Sequence, residues 1–224
     1  DDEKLYKKYA DRARTGYRRL VQTKKYSYDT DRQAKLVRPL YMNLLTGEQR
    51  EFAKKRLLKA LDNYGWRLGT GFLSTPFILY VLADMNIEYA YRLLENEEMP
   101  GWLFMPKMGA NTIWESWEGT KAQGGVASLN HYSKGAVCEW LFGEMCGINV
   151  DGENKFRIAP KPGGSLTYAR AEYQSAYGKV VCGWEKTEKG CTYAVTIPSN
   201  CKAEILLPNG ESHSVEAGKY TYSI

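Results

Sequence analysis

The strongest constraint on this chain is a change of hydrophobic period near Asp151. Before it, apolar residues recur every three to four positions, as a helix buried along one stripe requires. After it, short runs of β-formers are cut apart by Gly, Pro and Asn, as strands joined by tight turns require. The two periods are incompatible within one element type. The expectation is therefore a mainly α part at 1–150 and a β domain at 151–224.

In the first part, Leu5, Tyr9, Ala13, Tyr17, Leu20 and Val21 mark an amphipathic helix over about Asp2 to Lys24. Tyr26 to Thr30 reads as a turn, and Asp31 as the cap of a helix carrying Leu36, Val37, Leu40, Leu44 and Leu45, kinked or cut into short pieces by Pro39. Thr46 or Gly47 caps a charged helix striped by Phe52, Leu57, Leu58 and Leu61, which ends at Asn63-Tyr64-Gly65. The loop Gly69–Thr75 leads into a very apolar helix starting near Ser74, with Pro76 in its first turn. Ile87 to Glu97 is a shorter helix, and Met99-Pro100-Gly101-Trp102 turns the chain. Leu129 to Gly147 closes this part as a helix buried through Tyr132, Ala136, Val137, Trp140, Leu141 and Met145. Helices that alternate between more polar and more apolar suit two packed layers.

The second part has runs at 156–160, 166–174, 179–186, 191–197, 203–207 and 220–224, separated by pairs such as Gly163-Gly164 and Asn209-Gly210. That spacing predicts a small antiparallel β-sandwich of about six to eight strands.

Between these parts lies Gly109-Ala110-Asn111-Thr112-Ile113-Trp114-Glu115-Ser116-Trp117-Glu118-Gly119, and shortly after it Ser128-Leu129-Asn130-His131-Tyr132. Rings beside carboxylates suit a sugar site: the rings stack on pyranose faces while the acids bind hydroxyls or move protons. The 17 Tyr and 6 Trp favour such a surface. The net charge of +5 is spread through mixed signs without a groove-reading stripe, which argues against a nucleic-acid partner. No apolar run approaches the roughly 20 residues of a membrane span. The five cysteines form no CxxC pair and read as free thiols, so no metal site is expected. The Gly69–Thr75 loop lacks the spacing of a phosphate-binding loop. A chain that begins at Asp1 reads as a processed product or an excised piece.

Several short motifs in order resemble the C-terminal part of bacterial α-L-rhamnosidases of glycoside hydrolase family 78. They are Gly69-Thr-Gly-Phe-Leu-Ser-Thr-Pro76, Ala90-Tyr-Arg-Leu-Leu94, Thr112-Ile-Trp-Glu-Ser-Trp-Glu118, Ser128-Leu-Asn-His-Tyr132 and Ile158-Ala-Pro-Lys-Pro-Gly-Gly164. The resemblance implies an (α/α)6 barrel followed by a C-terminal β-sandwich, and cofactor-free, inverting hydrolysis of terminal α-L-rhamnosides. It also implies Glu115 as general base and His131 as a sugar contact, with Trp114 and Trp117 near the sugar. Asn111 is a weaker polar contact.

The family's acid-bearing region has no counterpart here, and about six helices are half of what such a barrel needs. Inverting hydrolysis requires an acid and a base roughly 6.5–9.5 Å apart on opposite sides of the bond. Glu118 does not meet that need: beside Glu115 on a helix it would share one wall, and on a strand it would point away. The expectation is a fragment, the second half of a barrel plus its sandwich, inactive alone. Its partners would be a rhamnose-containing glycoside, the missing N-terminal half and further copies of itself. The alternative is a non-catalytic carbohydrate-binding or packing module.

Overall fold

Helix formation in the first part follows the stripes read above, but burial does not follow them everywhere. In the computed structural model the described residues are 2–21, 28–122, 124–125 and 127–224. They pack as two compact units, Asp1–Gly135 and Ala136–Ile224.

Helix α1 (Asp2–Val21) has acidic residues in its first turn and basic ones in its last, as the helix dipole favours. None of its residues is buried: Leu5, Tyr9 and Leu20 of its apolar stripe are exposed, while Tyr17 meets the buried Tyr28 ring at 6.5 Å. It is held by its far end: Arg14 donates to the Asn43 carbonyl, and Arg18 to those of Leu44 and Leu45. The predicted extension to Lys24, and part of the turn at Tyr26 to Thr30, lie outside the described residues.

Helix α2 (Gln33–Tyr41) starts after Arg32, which provides no side-chain cap. Asp31 is not the cap. Its carboxylate instead accepts from Arg56 at 2.9 Å and Asn63 at 3.1 Å, and the Arg56 contact holds its pKa below the usual range. An ion pair to α3 competes with the cap, and the guanidinium wins. Pro39 sits in the last turn of α2 and does not divide it, but the helix ends at Tyr41, short of Leu44 and Leu45. Helix α3 (Gly47–Asn63) opens on a full capping box, Thr46 with Gln49. Leu57 and Leu61 of its stripe are fully buried, whereas Phe52 is exposed.

Helix α4 (Thr75–Met85) has Pro76 in its first turn and buries Ile78, Leu79, Val81 and Leu82. It packs between α2 and helix α5 (Ile87–Leu94), with Phe77 stacked on Tyr41 at 4.2 Å. The short helices α6 (Phe104–Lys107) and α7 (Tyr132–Gly135) complete the first unit.

The helix expected from Leu129 to Gly147 is not one element. Beyond α7 come α8 (Val137–Trp140) and a π-helical turn (Leu141–Met145), and these fall in the second unit. Tyr132, expected to be buried, is 84% exposed. Two contacts show why the segment divides: the Trp184 indole donates to the Met145 carbonyl at 2.8 Å, and the π turn packs on the first strand. Gly147 then reverses the chain at φ 78°, where a Cβ would lie 2.1 Å from the Pro160 nitrogen. A left-handed backbone in that crowded position suits only glycine.

Eight strands follow: β1 (Ile148–Gly152), β2 (Lys155–Ile158), β3 (Tyr168–Ser175), β4 (Gly178–Thr187), β5 (Gly190–Ile197), β6 (Lys202–Leu206), β7 (Ser212–Val215) and β8 (Gly218–Ser223). They form two four-stranded sheets, ordered β1-β2-β6-β7 and β3-β4-β5-β8. Alternate residues are buried, with Phe156, Ile158, Ala203 and Ile205 from one sheet and Val180, Cys182, Trp184, Tyr193, Val195 and Ile197 from the other. The pairing is not wholly antiparallel. β2 and β6 run parallel, with Ile158 opposite Ile205, because the chain visits the other sheet for three strands before returning in the same direction. All five cysteines are free. Cys146, Cys182 and Cys201 are buried, and burial raises their pKa values, Cys146 to about 11.

Candidate functional site

The two motif segments lie side by side. After α6, Gly109 turns the chain at φ 84°, and residues 112–115 lie beside 128–131. Four bonds join them. The Thr112 hydroxyl donates to the Leu129 carbonyl, and the His131 N–H to the Ile113 carbonyl at 2.7 Å. The Glu115 N–H donates to the Ser128 carbonyl at 2.8 Å, and the Ser128 N–H returns a bond to Glu115 Oε2 at 3.0 Å. Side chain and main chain of Glu115 are thus tied to the same residue. No further hydrogen bond to Oε1 is present among the described residues.

Trp114 is half-buried, with its N–H against the sulfur of Met105, which is itself fully buried. Its ring lies on Gly119, where a Cβ would come within 2.4 Å of ring carbon. Gly119 also has φ 56°, so the close approach and the backbone both call for glycine there. The turn 116–119, which carries Trp117, is closed by the Gly119 N–H bonding to the Ser116 carbonyl at 3.0 Å.

Glu118 stands exposed on this turn and accepts from the Ser116 hydroxyl at 2.7 Å. That bond, with further help from its own backbone N–H and the Lys134 charge, lowers its pKa. A carboxylate held ionised is unsuited to donating a proton to a leaving group.

His131 is buried between the rings of Phe72, at 4.6 Å, and Tyr132, at 5.3 Å. Its Nδ1 is buried and has no hydrogen-bond partner among the described residues. Ser133 ties this turn to the Gly69–Thr75 loop by donating to the Phe72 carbonyl at 2.6 Å. Asn111 is exposed at the edge of the site, outside the paired segments. Trp102 is buried, and its indole donates to the Lys134 carbonyl at 3.0 Å.

Sequence reasoning missed Lys134. Its residue is only 4% exposed, yet its ammonium donates to the Glu115 carbonyl and sits 3.7 Å from the centroid of the Trp117 ring. One face of Trp117 is therefore occupied from within the protein. The available signal was spacing: Lys134 lies three residues after His131, entering a helix, where both can share a face. Nothing in composition marks a lysine as buried. No group of three or more His, Cys, Asp or Glu suited to a metal occurs among the described residues. No helix among them is long and apolar enough to cross a membrane.

Residues 1–145 match the model described as the bacterial alpha-L-rhamnosidase 6 hairpin glycosidase domain, and residues 150–221 match the bacterial alpha-L-rhamnosidase C-terminal domain. An alpha-L-rhamnosidase of Streptomyces avermitilis is 36% identical over 187 residues, 80% of this chain and 18% of that protein. One of Formosa agariphila is 36% identical over 202 residues, 87% of this chain and 22% of that protein. Among solved structures, the alpha-L-rhamnosidase of Dictyoglumus thermophilum superposes with a TM-score of 0.88 at 27% identity, over 98% of this chain and 28% of that one. The Streptomyces avermitilis alpha-L-rhamnosidase complexed with L-rhamnose gives 0.78 at 31% identity, over 87% and 22%. The chain thus spans about a fifth of the length of the curated relatives it matches. With both family models matched in order over nearly its whole length, the chain belongs to the bacterial α-L-rhamnosidase family.

Proposed function

We propose that this chain is part of an inverting α-L-rhamnosidase and supplies the general-base wall of its sugar site. Glu115 is the base. One carboxylate oxygen is held by the Ser128 N–H, which orients the group, and the other is left to accept a proton from the attacking water. Trp114 and Trp117 offer ring surface to the sugar, His131 contacts it, and Asn111 bonds a hydroxyl at the rim. The observation that carries this reading is the cross-linking of the two motif segments around Glu115.

On this reading residues 1–150 form the second half of an (α/α)6 barrel, and 151–224 its trailing β-sandwich. The general acid stands on helices this chain does not carry, because Glu118 is held ionised beside the base. Acid and base each typically contribute 10²–10⁴-fold, so the 224 residues alone are expected to turn over an aryl α-L-rhamnoside at or near background. Clear turnover by this chain, followed by release of the aryl chromophore, would refute the fragment reading.

The physical partner is then the other half of the barrel. Phe72 and Leu73 are exposed next to His131 and Tyr132, and Leu5, Tyr9 and Leu20 of α1 are exposed. Contiguous apolar patches of more than a few hundred Å² usually find a partner. In its absence, light scattering on the isolated chain is expected to show a mass that rises with concentration. A constant monomer mass at high concentration counts against an uncovered barrel face.

A further inference from the structure

We propose that Lys134 is a positioning residue of this site: its ammonium holds the Glu115 main chain and the Trp117 ring in one arrangement, and it does so only while charged. This rests on the reading of Glu115 as base, and extends it to a residue that does not touch the sugar.

The geometry is specific. Lys134 leaves α7 with its residue almost wholly buried, and its main chain is anchored by the Trp102 indole. Its ammonium therefore has a fixed origin. At its other end it meets two things at once, the Glu115 carbonyl oxygen and the face of Trp117. Both targets flank Ser116, so one cation spans the backbone from the base to the second tryptophan. An ammonium is attracted to the negative face of an indole, and the attraction grows as water is removed. A carbonyl oxygen also gains more from a charged donor than from a neutral one. The Glu115 segment has no regular secondary structure to stiffen it, so its position depends on such contacts.

The surroundings make the charge conditional. Burial pushes the ammonium down to about 8, against the attraction of Glu118 and then Glu115. Other charged groups on the packed elements are engaged elsewhere. Helix α4, which packs on α7, carries only Asp84, paired with Arg50, and α6 carries only Lys107, paired with Glu97. His131 and Tyr132, on the same segment as Lys134, are the further titratable groups nearby among the described residues. The sign is that of a lowered lysine: charged and holding below about pH 8, neutral and weaker above it.

Two measurements test this. The first uses the 224-residue chain, with tryptophan emission excited away from tyrosine. The difference between wild type and Trp117→Phe is expected to change with a midpoint near pH 8. It should lose that transition in Lys134→Met, and in Lys134→Arg, whose guanidinium stays charged. A transition that persists in Lys134→Met, or none in wild type, overturns the proposal.

The second uses the intact enzyme containing this chain. Lys134→Met is expected to lower kcat about tenfold or more with KM nearly unchanged. Lys134→Arg should recover most of that loss and move the alkaline limb of the rate above pH 8. An unchanged kcat in Lys134→Met overturns the positioning role even where the fluorescence transition is seen. Should Lys134→Met fail to fold, the wild-type and Lys134→Arg pH profiles decide, and an unmoved limb overturns it. Full activity in Glu115→Gln would instead sink the base assignment and leave the Lys134 titration intact, so the two failures are distinguishable.

Discussion

Glu115→Gln in the intact enzyme is expected to lower kcat for a rhamnoside by about 10²–10⁴-fold, the range typical of a positioned general base. At about 1.36 kcal/mol per decade, that is roughly 2.7–5.4 kcal/mol of barrier. The substitution isolates the proton-accepting role. A glutamine oxygen still accepts from the Ser128 N–H, now at 3.0 Å from Glu115 Oε2, and the backbone bond from residue 115 to the Ser128 carbonyl is untouched. The segment keeps its shape, and only the basic oxygen is lost. KM should therefore move little, because the tryptophans and His131 remain in place. Steady-state kinetics on an aryl rhamnoside are the check. A kcat within tenfold of wild type would remove Glu115 from the chemistry and return the segment to a purely structural role.

The largest effect on stability is expected at the β unit. Trp184→Ala should destabilise it by about 3–5 kcal/mol, as deletion of a large buried aromatic typically does. Trp184 is 2% exposed on β4, opposite Tyr193 of β5, and its indole bonds the Met145 carbonyl. The mutation opens a cavity and leaves that carbonyl with the longer bond from the Lys161 N–H at 3.3 Å in place of the indole. Trp184→Phe fills most of the volume but still loses the hydrogen bond, so its cost should be smaller. Denaturant unfolding followed by far-ultraviolet circular dichroism gives both values. A loss below about 1 kcal/mol in Trp184→Ala would mean that the strands do not depend on this anchor.

Much of the element pattern was legible because it rests on local chemistry. The cap at Thr46, the Pro76 start of α4 and the β-forming run of β5 all depend on neighbours a few residues away. Misreadings occurred where a distant residue competed. Asp31 could cap α2 or bind Arg56, and only folding brings α3 close enough to decide. Residues 129–147 have a continuous helical pattern, but α7 belongs to the first unit and the π turn packs with the strands. The parallel β2–β6 pair was invisible for the same reason, since strand spacing does not say which sheet a strand joins.

The candidate site divides along the same line. Its chemical inventory was determined by sequence: Glu115, Trp114, Trp117, His131 and Asn111 occur in motifs whose residue types suit a sugar. Their arrangement was decided by tertiary structure. The pairing of 112–115 with 128–131 fixes one oxygen of Glu115, and the same folding buries Lys134 over Trp117 and shuts His131 between two rings. Sequence specifies which groups are present and their local backbone preferences. Which polar atoms lose water, and which find a partner, depends on contacts between residues far apart in the chain, and those exist only once it has folded.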